Sequence, residues 1–332
     1  MNIFLTGSEG FIGSHLTEKL VLQGHKVRCL IHYNFLNSNG WLDTLNKKVK
    51  KDIEIIPGDI RDKDLIEKSI HKNTNAIFNL AALIGIPYSY IAAQSYVETN
   101  INGVLNILNT AKKLNNLQVL VQTSTSEVYG TPKQIPIKES HSLSAQSPYA
   151  ASKIAADQLA LSYYKSFGTP VSIIRPFNTY GPRQSTRAII PTIITQALKK
   201  SQINVGSTYP TRDFVYVSDT VSGFTKFLNC KKAVGETINL GTGYEISIKD
   251  LIKVVSKILK KNITIKQTSD RKRPIRSEVK RLLASNIKAK NILKWKPKFY
   301  GKSGLIKALS KTIEWYKIQE NTKKFKTDSF TI

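Results

Sequence analysis

Short apolar segments alternate with amphipathic segments through the first half of the chain. Short runs rich in Ile, Val and Leu indicate buried strands, and longer segments with apolar positions three or four residues apart indicate helices. The predicted strands are 2–6, 26–31, 53–57, 76–81, 118–123 and 171–175, and the predicted helices are 11–23, 62–71, 99–114 and 149–167. Strands separated by helices of this length predict a parallel sheet that is covered on both faces.

The pattern is looser after residue 183. Segments 189–199 and 247–259 are predicted helices, segments 237–240 and 263–267 are predicted strands, and Trp315 lies in a last amphipathic helix. We therefore expect an α/β protein: a Rossmann-type doubly wound parallel sheet in residues 1–183 and a smaller α/β substrate lobe that occupies most of residues 184–332. The pattern also allows the chain to return to the first domain near residues 215–245.

Composition narrows the class of protein. The 332 residues include 50 Lys and Arg against 23 Asp and Glu, which gives a net charge of +27. The lysines are scattered and are not interleaved with aromatic residues, so we expect a solvated basic surface and no nucleic-acid or membrane partner. No apolar run is long enough to span a membrane, the N-terminal MNIFLTG is not typical of a signal peptide, and two cysteines are too few for a disulfide framework. These features predict a cytoplasmic protein.

A glycine-rich turn follows the first predicted strand and opens the first predicted helix. Its residues 7–13 read GSEGFIG. Gly7 permits a tight turn, Gly10 lets the backbone approach a pyrophosphate, and Gly13 allows close helix–strand packing. The helix N-terminus, which includes Phe11 and Ile12, offers unpaired N–H groups to phosphates. This placement predicts a dinucleotide-binding site.

The end of the second strand bears on the choice of dinucleotide. Residues 31–34 read IHYN and contain neither an acid for a ribose 2′-hydroxyl nor an Arg for a 2′-phosphate. The missing Arg favours NAD over NADP. The other expected cofactor contacts lie at or just after the ends of predicted strands, at His32, Asp59, Ile60, Ala81, Ala82 and Thr123, and on a predicted helix at Tyr149 and Lys153.

Two side chains on one predicted helix suggest acid–base chemistry. Tyr149 and Lys153 are four residues apart and share one helical face. A lysine ammonium beside a phenol lowers the pKa of the phenol, which suits a group that takes a proton near neutral pH. A catalytic role for this pair is supported by Thr125, Ser126 and Glu127, which follow a strand at the edge of the sheet where ligands bind. No metal-ligand set is predicted.

With these motifs the chain resembles the extended short-chain dehydrogenase/reductases that act on nucleotide sugars. The resemblance spans nearly the whole chain and rests on GSEGFIG, STSEVYG at 124–130, SPYAASK ending at Lys153, RPFNTYGPR at 175–183 and RDFVYVSD at 212–219. It implies NAD, a nucleotide-sugar substrate and a homodimer formed by packing helices 99–114 and 149–167 against their copies in a four-helix bundle.

Within that family, the acid at Glu127 is typical of 4,6-dehydratases and of UDP-glucuronate decarboxylases, whereas epimerases usually have a small residue there. The residue before it, Ser126, is a further similarity to GDP-mannose 4,6-dehydratases, because many dTDP-glucose dehydratases have Asp at that position. Segments 33–42 and 184–196 are most similar to dehydratases that open legionaminic-acid synthesis on nucleotide-linked N-acetylglucosamine. A decarboxylase, a 4-epimerase and a non-catalytic NAD(P)- or RNA-binding protein remain as alternatives.

The resemblance implies a sequence of steps. Tyr149 takes the proton of the sugar 4-hydroxyl while hydride leaves carbon 4 for the cofactor, and Thr125 hydrogen-bonds the oxygen that becomes a ketone. Glu127 then removes the acidified carbon-5 proton. Ser126 is a poor acid, so Glu127 is expected to return that proton to the departing 6-hydroxyl before hydride returns to carbon 6.

The remaining candidates are expected to bind the nucleotide sugar. The resemblance implies a substrate contact for Asn178. Arg183, Arg187, Arg212 and Arg273 are candidates for diphosphate and ribose contacts because guanidinium groups match phosphate oxygens. Glu278 could accept two hydrogen bonds from guanine but not from uracil, which favours GDP over UDP.

Overall fold

Seven parallel strands form the central sheet of the computed structural model, which describes residues 1–323 and 325. The strands of the chain are β1 (Asn2–Thr6), β2 (Lys26–His32), β3 (Ile53–Gly58), β4 (Ala76–Asn79), β5 (Val119–Thr123), β6 (Val171–Pro176), β7 (Asn178–Tyr180), β8 (Gln202–Val205), β9 (Thr211–Tyr216), β10 (Thr237–Leu240), β11 (Glu245–Ser247), β12 (Thr264–Gln267) and β13 (Arg281–Leu282). The order in the central sheet is β10-β6-β5-β4-β1-β2-β3. This sheet confirms the predicted Rossmann-type α/β fold.

Helices cover both faces of this sheet and build the second lobe. They are α1 (Phe11–Leu22), α2 (Lys47–Lys50), α3 (Lys63–Ser69), α4 (Ile86–Ser89), α5 (Ala93–Val97), α6 (Gly103–Ala111), α7 (Pro148–Phe167), α8 (Ile189–Lys199), α9 (Val217–Lys226), α10 (Ile248–Leu259), α11 (Ile287–Ile292), α12 (Gly301–Lys317) and α13 (Gln319–Thr322). No helix among the described residues is both long enough and apolar enough to cross a membrane.

The strand order reverses between β1 and β4, which are neighbours in the sheet. In open parallel sheets, the crevice outside the carboxyl ends of the strands at such a point is where ligands bind. The fold therefore predicts a ligand-binding site at the carboxyl ends of β1 and β4. The edge strand β10 comes from the later part of the chain and pairs with β6, and α9 packs against α1. The division into two domains at residue 183 stays a prediction, and part of its second segment lies outside the described residues.

A smaller set of strands lies beyond the central sheet. Strand β9 pairs with β7, β11 and β13, and β8 pairs with β12. Helix α8 packs against α10 and α12 beside them. These elements bring residues 206–212 and 271–278 over the carboxyl ends of the central strands.

The predicted helix 99–114 begins with a π-helical turn in the structure and ends at Ala111. Helix α5 is followed by a π-helical turn at Glu98–Asn102 before α6 begins. The buried Asn100 side chain accepts the Leu83 N–H at 2.9 Å and donates to the Leu83 carbonyl at 2.9 Å and to Ser152 Oγ at 3.0 Å. The wider turn thus lets one amide side chain bind both α7 and the loop that follows β4, and π-turns of this kind are frequent at functional sites.

Candidate active site

A cavity of about 1260 Å³ lies at the carboxyl ends of the central strands. Every site residue predicted from the sequence lines it. Around the glycine turn and the strand ends these are Gly7, Gly10, Phe11, Ile12, Gly13, His32, Asp59, Ile60, Ala81, Ala82 and Thr123; farther along the cavity they are Thr125, Ser126, Glu127, Tyr149, Lys153, Asn178, Arg183, Arg187, Arg212, Arg273 and Glu278. Their roles are a separate matter and stay predictions.

The glycine turn is shaped as a cradle that side chains would fill. Gly7 has φ +66°, and a Cβ on it would lie 2.9 Å from Ala81 N. A Cβ on Gly13 would lie only 2.1 Å from the Gly7 carbonyl oxygen. Helix α1 begins at this turn without a side-chain cap on its N-terminus. The backbone N–H groups there are oriented to bind an anion, so the turn fits the pyrophosphate of a dinucleotide.

The end of this cavity beside β2 and β3 has two features that reasoning from strand ends missed. Arg61 Nη2 contacts Asp59 Oδ2 at 2.6 Å, and this hydrogen bond holds the pKa of Asp59 below its ordinary value. The Glu9 carboxylate accepts the backbone N–H of His32 at 2.9 Å. An acid therefore lies at the end of β2 although the strand itself supplies none.

A short turn after β5 carries the Thr-Ser-Glu segment. Strand β5 ends at Thr123, and a 3-10 turn follows at Ser126–Tyr129. Thr125 caps this turn by accepting the Glu127 N–H at 3.2 Å. The Glu127 side chain is largely buried and lines the cavity, and its Oε2 lies 3.5 Å from Nη1 of Arg273. The catalytic acid predicted from the sequence therefore has a largely buried cation as its neighbour.

Helix α7 presents Tyr149 and Lys153 to the same cavity. The helix begins with Ser147, whose Oγ accepts the Ala150 N–H at 3.1 Å, and Pro148 follows at its first position. Burial raises the pKa of Tyr149, and a hydrogen bond with Thr125 opposes that shift.

The effect expected of Lys153 on Tyr149 is not what the structure gives. Lys153 Nζ donates to the Thr123 carbonyl at 2.6 Å, and burial lowers the pKa of this ammonium to about 8. Burial raises the pKa of the Tyr149 phenol, in place of the lowering expected from the lysine.

Lys153 has a buried counter-ion that reasoning from the sequence missed. Asp157 lies one helical turn beyond Lys153 and is fully buried. It accepts hydrogen bonds from Ser124 Oγ at 2.7 Å and from Arg175 Nη2 at 2.9 Å, and its charge raises the pKa of Lys153 against the effect of burial. The spacing Tyr149, Lys153, Asp157 on one helical face was the available signal.

The far end of the cavity gathers charged side chains from the second lobe. Arg212 Nη2 lies 3.2 Å from Glu278 Oε1, and both side chains are largely buried. Burial lowers the pKa of Arg212, and Glu127 and Glu278 oppose this shift. The buried Asn178 Oδ1 has no hydrogen-bond donor among the described residues. The cavity that Glu127 lines therefore also contains cations and an unused acceptor.

Two of the predicted substrate arginines lie elsewhere on the cavity wall. Arg183, with φ +69°, contacts Glu18 at 3.0 Å and Ser14 Oγ at 3.4 Å on helix α1. The positive charge of Arg187 acts on the phenol of Tyr96 and partly offsets the rise in the pKa of Tyr96 that burial causes. The structure does not bring these two arginines into the group formed by Arg212, Arg273 and Glu278.

The chain is similar to nucleotide-sugar enzymes of three activities. UDP-glucuronic acid decarboxylase 6 of Arabidopsis thaliana is 32% identical over 318 residues, which cover 92% of this chain and 87% of that protein. The structure of dTDP-glucose 4,6-dehydratase from Bacillus anthracis in complex with NAD superposes with a TM-score of 0.84 at 29% identity, covering 97% of this chain and 98% of that one. UDP-glucuronic acid 4-epimerase from Bacillus cereus in complex with UDP-glucuronic acid and NAD gives 0.85 at 30% identity, with 96% and 99% covered.

The family model described as GDP-mannose 4,6 dehydratase matches residues 4–307. This span includes the glycine turn, the Thr-Ser-Glu segment, the Tyr149–Lys153 pair and the arginines of the second lobe. The chain therefore belongs to the GDP-mannose 4,6-dehydratase family, among the nucleotide-sugar dehydratases, epimerases and decarboxylases.

Proposed function

We propose that this protein is an NAD-dependent nucleotide-sugar 4,6-dehydratase. One observation carries the proposal: a buried carboxylate, Glu127, lines the same cavity as Thr125, Tyr149 and Lys153 and lies in the turn that follows the central strand β5. The reaction needs a base beside the sugar carbon that becomes acidic once its neighbour is a ketone. A generic reductase needs no such base, so the buried acid supports elimination.

NAD is the cofactor, and the glycine turn holds its pyrophosphate. The cradle of Gly7, Gly10 and Gly13 and the uncapped start of α1 fit the group, as the NAD complexes of related enzymes also support. When bound, NAD accepts the hydride of sugar carbon 4 and later supplies a hydride to carbon 6.

Tyr149 receives the proton of the sugar 4-hydroxyl. Its phenol hydrogen-bonds with Thr125, so the two hydroxyls can share the oxygen that becomes the ketone. Lys153 supports this step while it is protonated, since a nearby positive charge stabilises a phenolate. The charge of Asp157 favours the protonated form of Lys153 against the effect of burial.

Glu127 removes the carbon-5 proton and returns it to the departing 6-hydroxyl. Ser126 is too weak an acid to protonate that group, and a single carboxylate can do both steps because the proton passes from carbon 5 to the hydroxyl oxygen on the adjacent carbon 6. When hydride is added to carbon 6, carbon 5 takes a proton from solvent and Tyr149 releases its own. The Arg273 guanidinium lies 3.5 Å from Glu127 and places a positive charge opposite this carboxylate.

The second lobe binds the nucleotide diphosphate. We assign Arg212 and Arg273 to the phosphates, with Asn178 as the acceptor for a substrate hydroxyl. Glu278 accepts hydrogen bonds from the nucleobase, which favours guanine and so a GDP-linked sugar. The proposed sugar is N-acetylglucosamine. Arg183, which contacts α1, and Arg187, whose charge acts on Tyr96, remain candidates for substrate contacts.

One observation favours a second function. A UDP-glucuronate decarboxylase needs a cation for the sugar carboxylate, and Arg273 is a largely buried cation that lines this cavity. Its ion pair with Glu127 argues against that role, because a second carboxylate there would be repelled by the first.

The test is product analysis by mass spectrometry with GDP- and UDP-linked N-acetylglucosamine and with UDP-glucuronic acid. A dehydratase yields a product lighter by one water, a decarboxylase one lighter by carbon dioxide, and an epimerase one of unchanged mass. Glu127→Gln should keep dinucleotide binding and lose water elimination, with Glu139→Gln as the control acid. Wild-type elimination by Glu127→Gln would refute the assignment.

Assembly and location stay predictions. We propose a homodimer formed through α6 and α7, on whose surface the aromatic side chains of Tyr164 and Phe167 are exposed. Light scattering after size-exclusion chromatography would measure its mass. A cytoplasmic location without nucleic-acid or membrane partners is proposed with it.

A further inference from the structure

We propose that Glu9 binds the adenosine ribose of the dinucleotide and selects NAD over NADP. The inference rests on the NAD binding proposed above and adds a residue that selects between the two dinucleotides. In Rossmann folds an acid at the end of the second strand usually accepts the ribose hydroxyls. Strand β2 ends at His32 and supplies no acid, so this place in the fold needs another source of negative charge.

The turn between β1 and α1 provides it. Glu9 Oε1 accepts the backbone N–H of His32 at 2.9 Å, which sets the carboxylate against the carboxyl end of β2 and on the cavity wall. The other oxygen, Oε2, is buried and receives no hydrogen bond from the described residues. A buried acceptor without a donor is costly to stability. Two adjacent ribose hydroxyls are donors that a carboxylate can accept together, after a small rotation of the side chain.

Glu9 is also held in place from the other side. The Trp41 N–H donates to the Glu9 carbonyl at 3.0 Å. Gly40, with φ +61°, packs so closely that a Cβ on it would lie 2.7 Å from Glu9 O and 2.9 Å from Glu9 Cβ. Position 40 therefore has room only for glycine beside Glu9. This close packing fixes the backbone from which the Glu9 carboxylate extends.

The charges at this corner disfavour a 2′-phosphate. The phosphate of NADP would add negative charge beside the Glu9 carboxylate, which repels it. The basic side chains there, Arg61 and His32, both lie against Asp59, at 2.6 Å and 3.8 Å. Arg61 also contacts Glu98 at 3.4 Å. These acids occupy the basic side chains that could otherwise bind the phosphate.

The experiment measures dinucleotide binding, not turnover. The nucleotide released by heating the purified protein is identified by mass spectrometry, and the affinities for NAD and NADP are then measured by calorimetry. Glu9→Gln should weaken NAD binding roughly tenfold to a hundredfold, the range of a hydrogen bond to a charged group. It should weaken NADP binding less, so that the preference for NAD falls. Glu54→Gln, which removes an exposed acid paired with Arg28, should change neither affinity.

A second variant separates charge from folding. Glu9→Asp keeps the charge but shortens the side chain, so it should weaken NAD binding and still reject NADP. An unchanged ratio of the two affinities in folded Glu9→Gln, or in Glu9→Ala should the first variant not fold, would overturn the role of Glu9 while the dehydratase proposal stands. Failure of the wild-type protein to bind either dinucleotide would overturn both.

Discussion

The charge on Lys153 should set the alkaline limit of activity. Burial lowers the pKa of this ammonium from 10.5 to about 8, and its hydrogen bond to the Thr123 carbonyl is 2.6 Å long. A lowered lysine pKa means that the positive charge is present below about pH 8 and is lost as the pH rises through that value. Tyr149 then loses the cation that favours its phenolate.

The magnitude follows from this titration. Above its pKa, the protonated fraction of a single group falls about tenfold per pH unit, so the turnover rate should fall with the same slope. Lys153→Arg keeps a positive charge at every accessible pH and should remove the alkaline decline, at a lower maximum rate because the longer side chain must fit a buried site. Lys153→Met should be slow at all pH values.

Initial rates of keto-sugar formation across the pH range provide the assay, with protein stability checked at each pH. Lys165→Met, which changes an exposed lysine on the same helix, is the matched control and should leave the profile unchanged. A Lys153→Arg protein with the wild-type alkaline decline would refute the reasoning, since the titrating group would then be another residue.

Two further predictions concern the scaffold of the site. Gly13→Ala should abolish dinucleotide binding in a calorimetric titration, because its Cβ would lie 2.1 Å from the Gly7 carbonyl; Gly168→Ala, at a position with φ +67° and no atom within 4 Å, should cost only about 1 kcal/mol of stability. Arg175→Met should destabilise the protein in urea unfolding by about 3–5 kcal/mol, because it leaves the buried Asp157 carboxylate without its ion pair. The double variant with Asp157→Leu should recover part of that loss, and equal instability of both would contradict this explanation.

Local patterns in the chain were enough to predict the central sheet. Apolar runs predicted its strands, and the glycines of 7–13 predicted the turn, because close backbone packing leaves no room for side chains there. Tyr149 and Lys153 were found by their spacing, since helical geometry alone puts them on one face. The strand 76–81 was predicted too long: it ends at Asn79, where the N–H groups of Leu80 and Ala81 donate to Thr6 Oγ1 instead of continuing the ladder.

Long-range packing decided the rest of the site. The contact of Arg273 with Glu127, the placement of Glu9 at the end of β2 and the pairing of Arg183 with Glu18 all join residues from different elements, and periodicity carries no information about such distances. The pKa of Lys153 could not be predicted from the sequence either, because it depends on how deeply the Lys153 side chain is buried and on the charge of Asp157. Spacing along a chain identifies groups on one element, whereas electrostatics depends on everything packed around them.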